Sequence, residues 1–485
     1  MTNSIGLFNP MISTIGLEVH AQLATRTKIF CGCELRFGSP PNTHVCPVCL
    51  GLPGVLPVLN REAFSLALRA VIALNGTPSE FIKFDRKNYY YPDLPKGYQI
   101  SQFDRPIGKG GWVEIGEGTS QRRVKLNRVH MEEDAGKLIH DLSSESHVDL
   151  NRAGTPLIEI VTEPDLETPD EAYAYLTNLK AILKSIGVSA CDMEKGQLRC
   201  DANVSVRADR TAPLGTKIEI KNLNSFKAVK AALEYEIERQ IAALGHGEKL
   251  VQETRLWDDD RGSTSLMRSK EEAHDYRYFP EPDLVPFTVS RGEIEETRRT
   301  MPKLPAQKKE EFRKLGLKDI AVEQLAQDDL LSGLFEEIVT AHKKDPKGTA
   351  NFILNSLVGT ASAAGIPLEN FDARRVAALQ TMIESGQVSL VAATSGGILE
   401  EVFKSGSTKN PEDVAKEKGL LQVSDDSALD RWIDEAIEKN PKVVADFKSG
   451  KEAAAMFLVG QVMRQSKGKA NPGKVQDMIR KKLSC

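Results

Sequence analysis

No apolar run in this 485-residue chain is long enough to span a bilayer, and the opening MTNSIGLFNP lacks the basic stretch and apolar core of a secretion signal. The expectation is a protein without membrane spans, working in the cytoplasm. The motif GxxxxGK[ST] occurs nowhere, which excludes a P-loop nucleotide site. Internal repeats and low-complexity tracts are missing as well. Positive charge is not in excess: the formal net charge is -4, so any contact with nucleic acid has to come from a local basic patch. Cysteine is scarce, and seven thiols in a reducing compartment argue against a disulfide framework.

What is there begins with alternation. In IGLEVHAQL, Ile15, Leu17, Val19, Ala21 and Leu23 are apolar while Glu18, His20 and Gln22 share the other face, the pattern of a half-buried strand. RCDANVSVR repeats it, with Cys200, Ala202, Val204 and Val206 on one side and Arg199, Asp201, Asn203, Ser205 and Arg207 on the other. KIEIK adds Lys217, Glu219 and Lys221. Stacked in one antiparallel sheet, such strands make an apolar back and a floor of carboxylates, a histidine and cations, the set that an ATP-dependent transfer to a carboxylate requires. Three ordinary amphipathic strands would leave the same pattern. The segment HMEEDAGKLIHD, from His130, concentrates Glu132, Glu133 and Asp134 ahead of Lys137. Adjacent acids repel; a magnesium ion relieves that cost in phosphoryl-transfer sites, and a solvated acidic turn is the alternative. Glu159 shifts the balance, because TPLIEIVTE is otherwise apolar and a carboxylate inside such a strand needs a partner or a metal.

Four cysteines cluster as CGC (Cys31, Cys33) and CPVC (Cys46, Cys49), a paired spacing that suits tetrahedral zinc. Four thiolates fill the coordination sphere, so this metal staples a loop and performs no chemistry; unpaired core thiols are the alternative. Cys191, Cys200 and Cys485 have no partner at ligand spacing. To about residue 295, strand-like runs are broken by glycine and proline turns, and GKGGW reads as a hairpin. Two helices interrupt, PDEAYAYLTNLKAILKSIG and SFKAVKAALEYEIERQIAALG. Beyond PEPDLVPFTV the periodicity is helical, with a further break near KSGSTKNPED. In the last module Arg464, Lys467, Lys469, Lys474, Arg480, Lys481 and Lys482 outnumber nearby acids, and QSKGKANPG reads as a flexible basic loop able to track a phosphate backbone, or as a solubilising cap.

Together IGLEVHAQL, the two cysteine pairs, KFDRKNYYYPDLPKGYQISQFD, HMEEDAGK, DLNRAGTPLIEIVTEPD, RCDANVSVR, KNLNSF, DYRYFPEPDL and GQVMRQSKGKANP closely resemble the B-type chains of the aspartyl/glutamyl-tRNA amidotransferases, the GatB family, through essentially the whole chain. The resemblance implies an α+β fold: an antiparallel-sheet cradle distantly similar to glutamine synthetase over 1–295, an all-α connector over 296–408 and a small helical tRNA-binding tail, YqeY-like, over 409–485. It implies ATP-dependent amidation of mischarged Glu-tRNA(Gln), Asp-tRNA(Asn) or both, in a heterotrimer with an A-type partner, the glutaminase, and a C-type partner. By the same resemblance, His20, Glu133 and Glu159 hold Mg2+, and Glu18, Glu132 and Asp201 complete the acidic shell or bind a second ion. Arg199, Asn203, Lys217 and Lys221 are expected at the nucleotide, the two lysines from their charge alone. Lys87, Tyr89, Tyr91 and Lys96 are expected near the ammonia route, and a structural Zn2+ at the four cysteines.

Overall fold

The alternation in the first strand-like run is realised as β1 (Ile12–Gln22), whose inward residues Ile15, Leu17, Val19 and Ala21 are at most 1% exposed. The structure is a computed structural model that describes residues 11–116, 120–139, 145–269, 275–422, 426–448, 451, 453–466 and 469–483. It divides into two compact units, Met1–Leu304 and Pro305–Cys485.

The first unit is built on one large sheet. Its long strands, after β1, are β2 (Arg122–Glu133), β3 (Pro156–Thr162), β4 (Leu198–Arg207), β5 (Ile218–Leu223), β6 (Glu253–Asp258) and β7 (Ser263–Ser269). They lie in the order β7-β6-β5-β4-β1-β3-β2, with Gly108–Lys109 and Thr77–Pro78 beyond β2. Neighbours are antiparallel except β5 and β6, which are parallel, so the sheet is mixed and not wholly antiparallel as expected. A parallel pair needs a crossover connection, and the second expected helix supplies it between β5 and β6.

Three helices belong to the core behind the sheet: α1 (Arg61–Ala73), α2 (Pro169–Ser185) and α3 (Phe226–Gly245). Each starts where a side chain caps free backbone N–H groups: Asn60 accepts from Glu62 and Ala63, Thr168 from Glu171, and Ser225 from Ala228. Tyr175, Leu176, Leu179 and Leu183 of α2 and Val229, Ala232 and Leu233 of α3 are fully buried in that core. One sheet face is thereby covered and the other left open.

GKGGW is not a hairpin. Gly108–Lys109 and Trp112–Ile115 both pair with β2, one after the other, and the intervening glycines form a bulge in a single edge. Gly110 and Gly111 take φ of 62° and 103°, and a Cβ on Gly111 would come within 2.5 Å of the Leu74 carbonyl oxygen. A small three-stranded sheet, in the order Phe279–Pro280, Asp85–Asn88, Tyr98–Ser101, joins two distant tyrosine-rich segments. Arg86 ties it by donating to Glu281 at 2.7 and 2.8 Å and to Asp283 at 3.1 Å.

The expected boundary at residue 295 falls inside helix Arg291–Arg299, where Ile294 packs on the first core, and the unit ends after Leu304. The described part of the second unit is helical, with two apolar clusters. One runs from Phe312 to Ala415 and gathers Leu420 and Leu421; the other runs from Leu429 to Leu483. Val414 and Ala415 belong to the first, so the apolar division lies beyond the expected residue 408.

Candidate active site

The open face of the large sheet collects the side chains that alternate away from the core. His20 on β1 stands opposite Glu159 on β3, and Glu159 opposite His130 on β2. On the other flank His20 faces Arg199 and Glu18 faces Asp201 on β4, while Asn203 faces Glu219 on β5. Paired residues of an antiparallel ladder share a face, so strand register alone assembles this group. It floors a cleft of about 520 Å³ with Lys87, Tyr89, Phe103, Arg128, Tyr276 and Tyr278 among its walls.

His20 Nε2 lies 3.1 Å from Glu159 and 3.4 Å from Glu132, and His130 Nε2 lies 3.4 and 3.7 Å from the same two carboxylates. One ligand atom each from His20, Glu132 and Glu159 falls within 4.8 Å of the others. Burial alone would neutralise these groups. Instead the imidazoles hold Glu159 well below the usual carboxylate range and Glu132 below it, while the carboxylates raise His20 and push His130 up to about 9. The carboxylates are therefore kept ionised by adjacent positive charge. A divalent cation among His20, Glu132 and Glu159 supplies that charge from one atom, and two carboxylates with one imidazole are a fitting donor set.

The remaining expected residues divide. Asp201 accepts from Lys221 at 2.5 Å, and the same ammonium lies 3.1 Å from Glu219. Arg199 donates to Asp134 at 2.8 Å, which Gln22 also reaches at 3.1 Å. Glu18 accepts from Asn203 at 2.9 Å, and burial, with Glu159 second, raises its pKa. Lys217 is exposed and stands apart from the cluster, beside Glu18 and Asn203 in a second recess. Lys87 and Tyr89 reach the cleft, the Lys87 ammonium lying 4.8 Å from the Tyr276 ring centroid. Tyr91 is exposed and Lys96 turns elsewhere.

Glu133 is not brought to the histidine–carboxylate group. Its carboxylate pairs with Lys96 and accepts from the Ile100 N–H at 2.8 Å, lining a separate small cavity with Lys28, Cys49 and Gly154. His130, whose partnership with both carboxylates was not foreseen, occupies the row instead. Period-two reading of NRVHMEE carries the signal: His130 and Glu132 share one face of β2, and Glu133 leaves by the other.

The four Sγ atoms of Cys31, Cys33, Cys46 and Cys49 lie within 4.8 Å of one another. Zinc–sulfur bonds of about 2.3 Å place tetrahedral corners roughly 3.8 Å apart, so the cluster fits that ion. A hydrogen bond from Cys31 holds the Cys49 thiol down to about 4, with the Lys28 ammonium 3.5 Å from its sulfur also lowering it. Cys191 and Cys200 are buried in the main core, and Cys485 lies outside the described residues. In the tail, Lys482 is 2.6 Å from Asp434 and 3.0 Å from Asp430. Lys467 lies outside the described residues.

The GatB/GatE catalytic domain family matches residues 13–295, the part that contains the floor, the cleft and the cysteines. The chain belongs to the GatB family. A second family, the GatB domain, matches residues 333–483. Among GatB relatives, the B-type chain of the aspartyl/glutamyl-tRNA(Asn/Gln) amidotransferase of Carboxydothermus hydrogenoformans is 50% identical over 479 residues, covering 97% of this chain and 98% of that protein. The proteins of the same name from Persephonella marina and Caldanaerobacter subterraneus are 48% and 50% identical, covering 98% and 97% of this chain and 99% of each relative. No helix among the described residues is long and apolar enough to cross a membrane.

Proposed function

We propose that the chain is the amidating component of a cytoplasmic, tRNA-dependent amidotransferase, acting on Glu-tRNA(Gln), Asp-tRNA(Asn) or both, with an A-type glutaminase and a C-type protein as its partners in a heterotrimer. The observation that carries the reading is the group of His20, His130, Glu132 and Glu159 at the floor of an open cleft with cationic walls. The first unit serves as a cradle of the glutamine-synthetase kind and the helical tail binds tRNA.

In the reaction, the side-chain carboxylate of the mischarged tRNA attacks the γ-phosphorus of ATP, ADP leaves, and an acyl phosphate forms. Ammonia released from glutamine by the partner attacks the acyl carbon, phosphate leaves, and the amide remains. His20, Glu132 and Glu159 would hold Mg2+, which supplies charge for the phosphoryl oxygens and the attacking carboxylate. Arg199 and Lys221 set positive charge along the floor, and their carboxylate partners Asp134 and Asp201 keep both side chains in place. Lys87 and Tyr89 give the cleft a polar wall toward the ammonia. The four cysteines would hold one Zn2+ as a staple, outside the chemistry.

The test is a reconstituted complex given each mischarged tRNA. His20→Ala and Glu132→Gln should each lower tRNA-dependent ATP hydrolysis and amide formation by about 10²-fold or more, with basal glutaminase activity retained. Near wild-type amide formation in either variant would remove the assignment.

A further inference from the structure

The open face does not stop at the cleft but runs past it along β2. Val124, Leu126 and Val129 are at most 2% exposed, so Lys125 and Arg128 both leave by the open face. A regular strand would send two residues at that spacing opposite ways. Bulges on both flanks make the difference. Against β3 the register passes from Val161 with Arg128 to Thr162 with Leu126, leaving Asn127 over, and along the edge it passes from Lys109 with Arg128 to Trp112 with Lys125 across Gly110 and Gly111. Lys109 shares the open face with Arg128, since a Cβ on its neighbour Gly108 would come within 2.4 Å of Val71 Cγ1 in the core.

Lys109 and Arg128 are therefore like charges directly opposite in an antiparallel pair, about 5 Å apart at Cβ, an arrangement that costs stability. Among the described residues no carboxylate forms an ion pair with Lys109, Lys125 or Arg128. Two neighbouring acids are committed elsewhere, Glu114 accepting from Arg123 at 3.2 Å and Glu163 from Asn127 at 2.8 Å. By contrast, Arg199 and Lys221 of the floor each have a carboxylate of their own. At its inner end the stripe joins the reacting group: Arg128 lines the cleft, with Nε 3.4 Å from His130 Nδ1. Phe103 lines the same cleft, 60% exposed, with one ring face stacked on Tyr278 at a centroid distance of 4.3 Å and the other left to solvent.

We propose that this stripe receives the unpaired 3′ end of the tRNA, its phosphates lying on Lys125, Lys109 and Arg128 and one of its bases stacked on Phe103. The inference rests on the tRNA-dependent reading given above and deepens it by a route along which the aminoacyl end reaches His20 and Glu159. A phosphate between Lys109 and Arg128 turns their repulsion into a shared attraction, and three unpaired cations in succession suit a run of phosphates better than one small anion. A free aromatic face accepts any base that is not held in a duplex. The ring also distinguishes this partner from an acidic protein surface, which needs the charges alone.

The experiment is fluorescence-anisotropy titration of the reconstituted complex with tRNA(Gln) and tRNA(Asn), each intact and trimmed of its unpaired 3′ nucleotides, over a range of salt. For wild type, trimming should weaken binding by about tenfold or more. Lys109→Gln and Lys125→Gln should each weaken the intact tRNA severalfold and lower its salt slope by about 0.7. Phe103→Ala should weaken it by about tenfold and leave the slope unchanged. None of the three, all at exposed positions, should alter affinity for the trimmed tRNA. Lys109→Gln should also raise the urea midpoint, because it relieves the like-charge pair. Equal losses on intact and trimmed tRNA, or no loss in any variant, would overturn the proposal. Release of the partner chains from the lysine variants would overturn it too, by assigning the stripe to a protein contact. Wild type binding neither tRNA, intact or trimmed, would overturn the tRNA-dependent reading itself, and the stripe's role with it.

Discussion

Glu132 and Glu133 are neighbours in β2 but meet different surroundings, because consecutive side chains of a strand leave by opposite faces. Glu132 reaches His20 and His130; Glu133 is paired with Lys96 beneath the cysteine-bearing loop. Their amide variants should therefore fail differently. Glu132→Gln should fold normally and lose activity, whereas Glu133→Gln leaves a buried ammonium without its counter-ion and should cost about 3 kcal/mol of stability, read by urea denaturation. The reverse pattern would return Glu133 to the reacting group. Lys28 is the other decisive residue at this scale. Fully buried, it donates to Cys49 Sγ at 3.5 Å and to the Leu150 carbonyl at 3.2 Å, and its own N–H donates to the Cys33 carbonyl. The ammonium thus offsets thiolate charge and ties the second cysteine pair to the loop before β3, while the backbone N–H of the same residue holds the first pair. Lys28→Met should weaken zinc binding by about 10- to 100-fold in chelator competition, without changing the stoichiometry of one ion per chain. Unchanged zinc affinity would reduce Lys28 to a packing residue.

Single elements are decided by their connections as much as by their residues. The parallel step from β5 to β6 follows from α3, since no tight turn returns a chain to the same end of a sheet. The edge beside β2 bends at Gly110 and Gly111 for a different reason at each residue. At Gly110 only the positive φ is demanding, with open space around a notional Cβ; at Gly111 the backbone of Leu74 and Gly76 is in the way as well. Gly110→Ala should cost about 1 kcal/mol and Gly111→Ala distinctly more, about 2 to 3 kcal/mol, compared by denaturant midpoint. Equal costs would mean that the edge relaxes and that contact with Leu74 does not shape it.

At the scale of the whole molecule the second unit carries two apolar clusters, and where the chain is cut decides which of them survives. A chain ending at residue 422 retains Val414, Ala415, Leu420 and Leu421 on the first cluster, while one ending at residue 408 removes all four. Both truncations should lose the salt-dependent part of tRNA affinity, because the basic tail is gone. Only the shorter should also melt early in a thermal scan. A chain ending at 422 that binds tRNA like the full length, with the same salt slope, would make the tail a solubilising cap.

The sequence by itself determined the alternation of β1, β4 and β5 and hence which side chains leave the core, since a period of two is local and survives without a partner. It determined the starts of α2 and α3, because Thr168 and Ser225 cap the chain that follows directly. It determined the cysteine pairing too, as ligand spacing is a property of short segments. Tertiary structure alone decided the register that sets Glu159 between His20 and His130, the turning of Glu133 toward Lys96, and the bulges that set Lys109, Lys125 and Arg128 on one face. These depend on which strands become neighbours and how far each slides, and that is settled by long-range packing of the common apolar back.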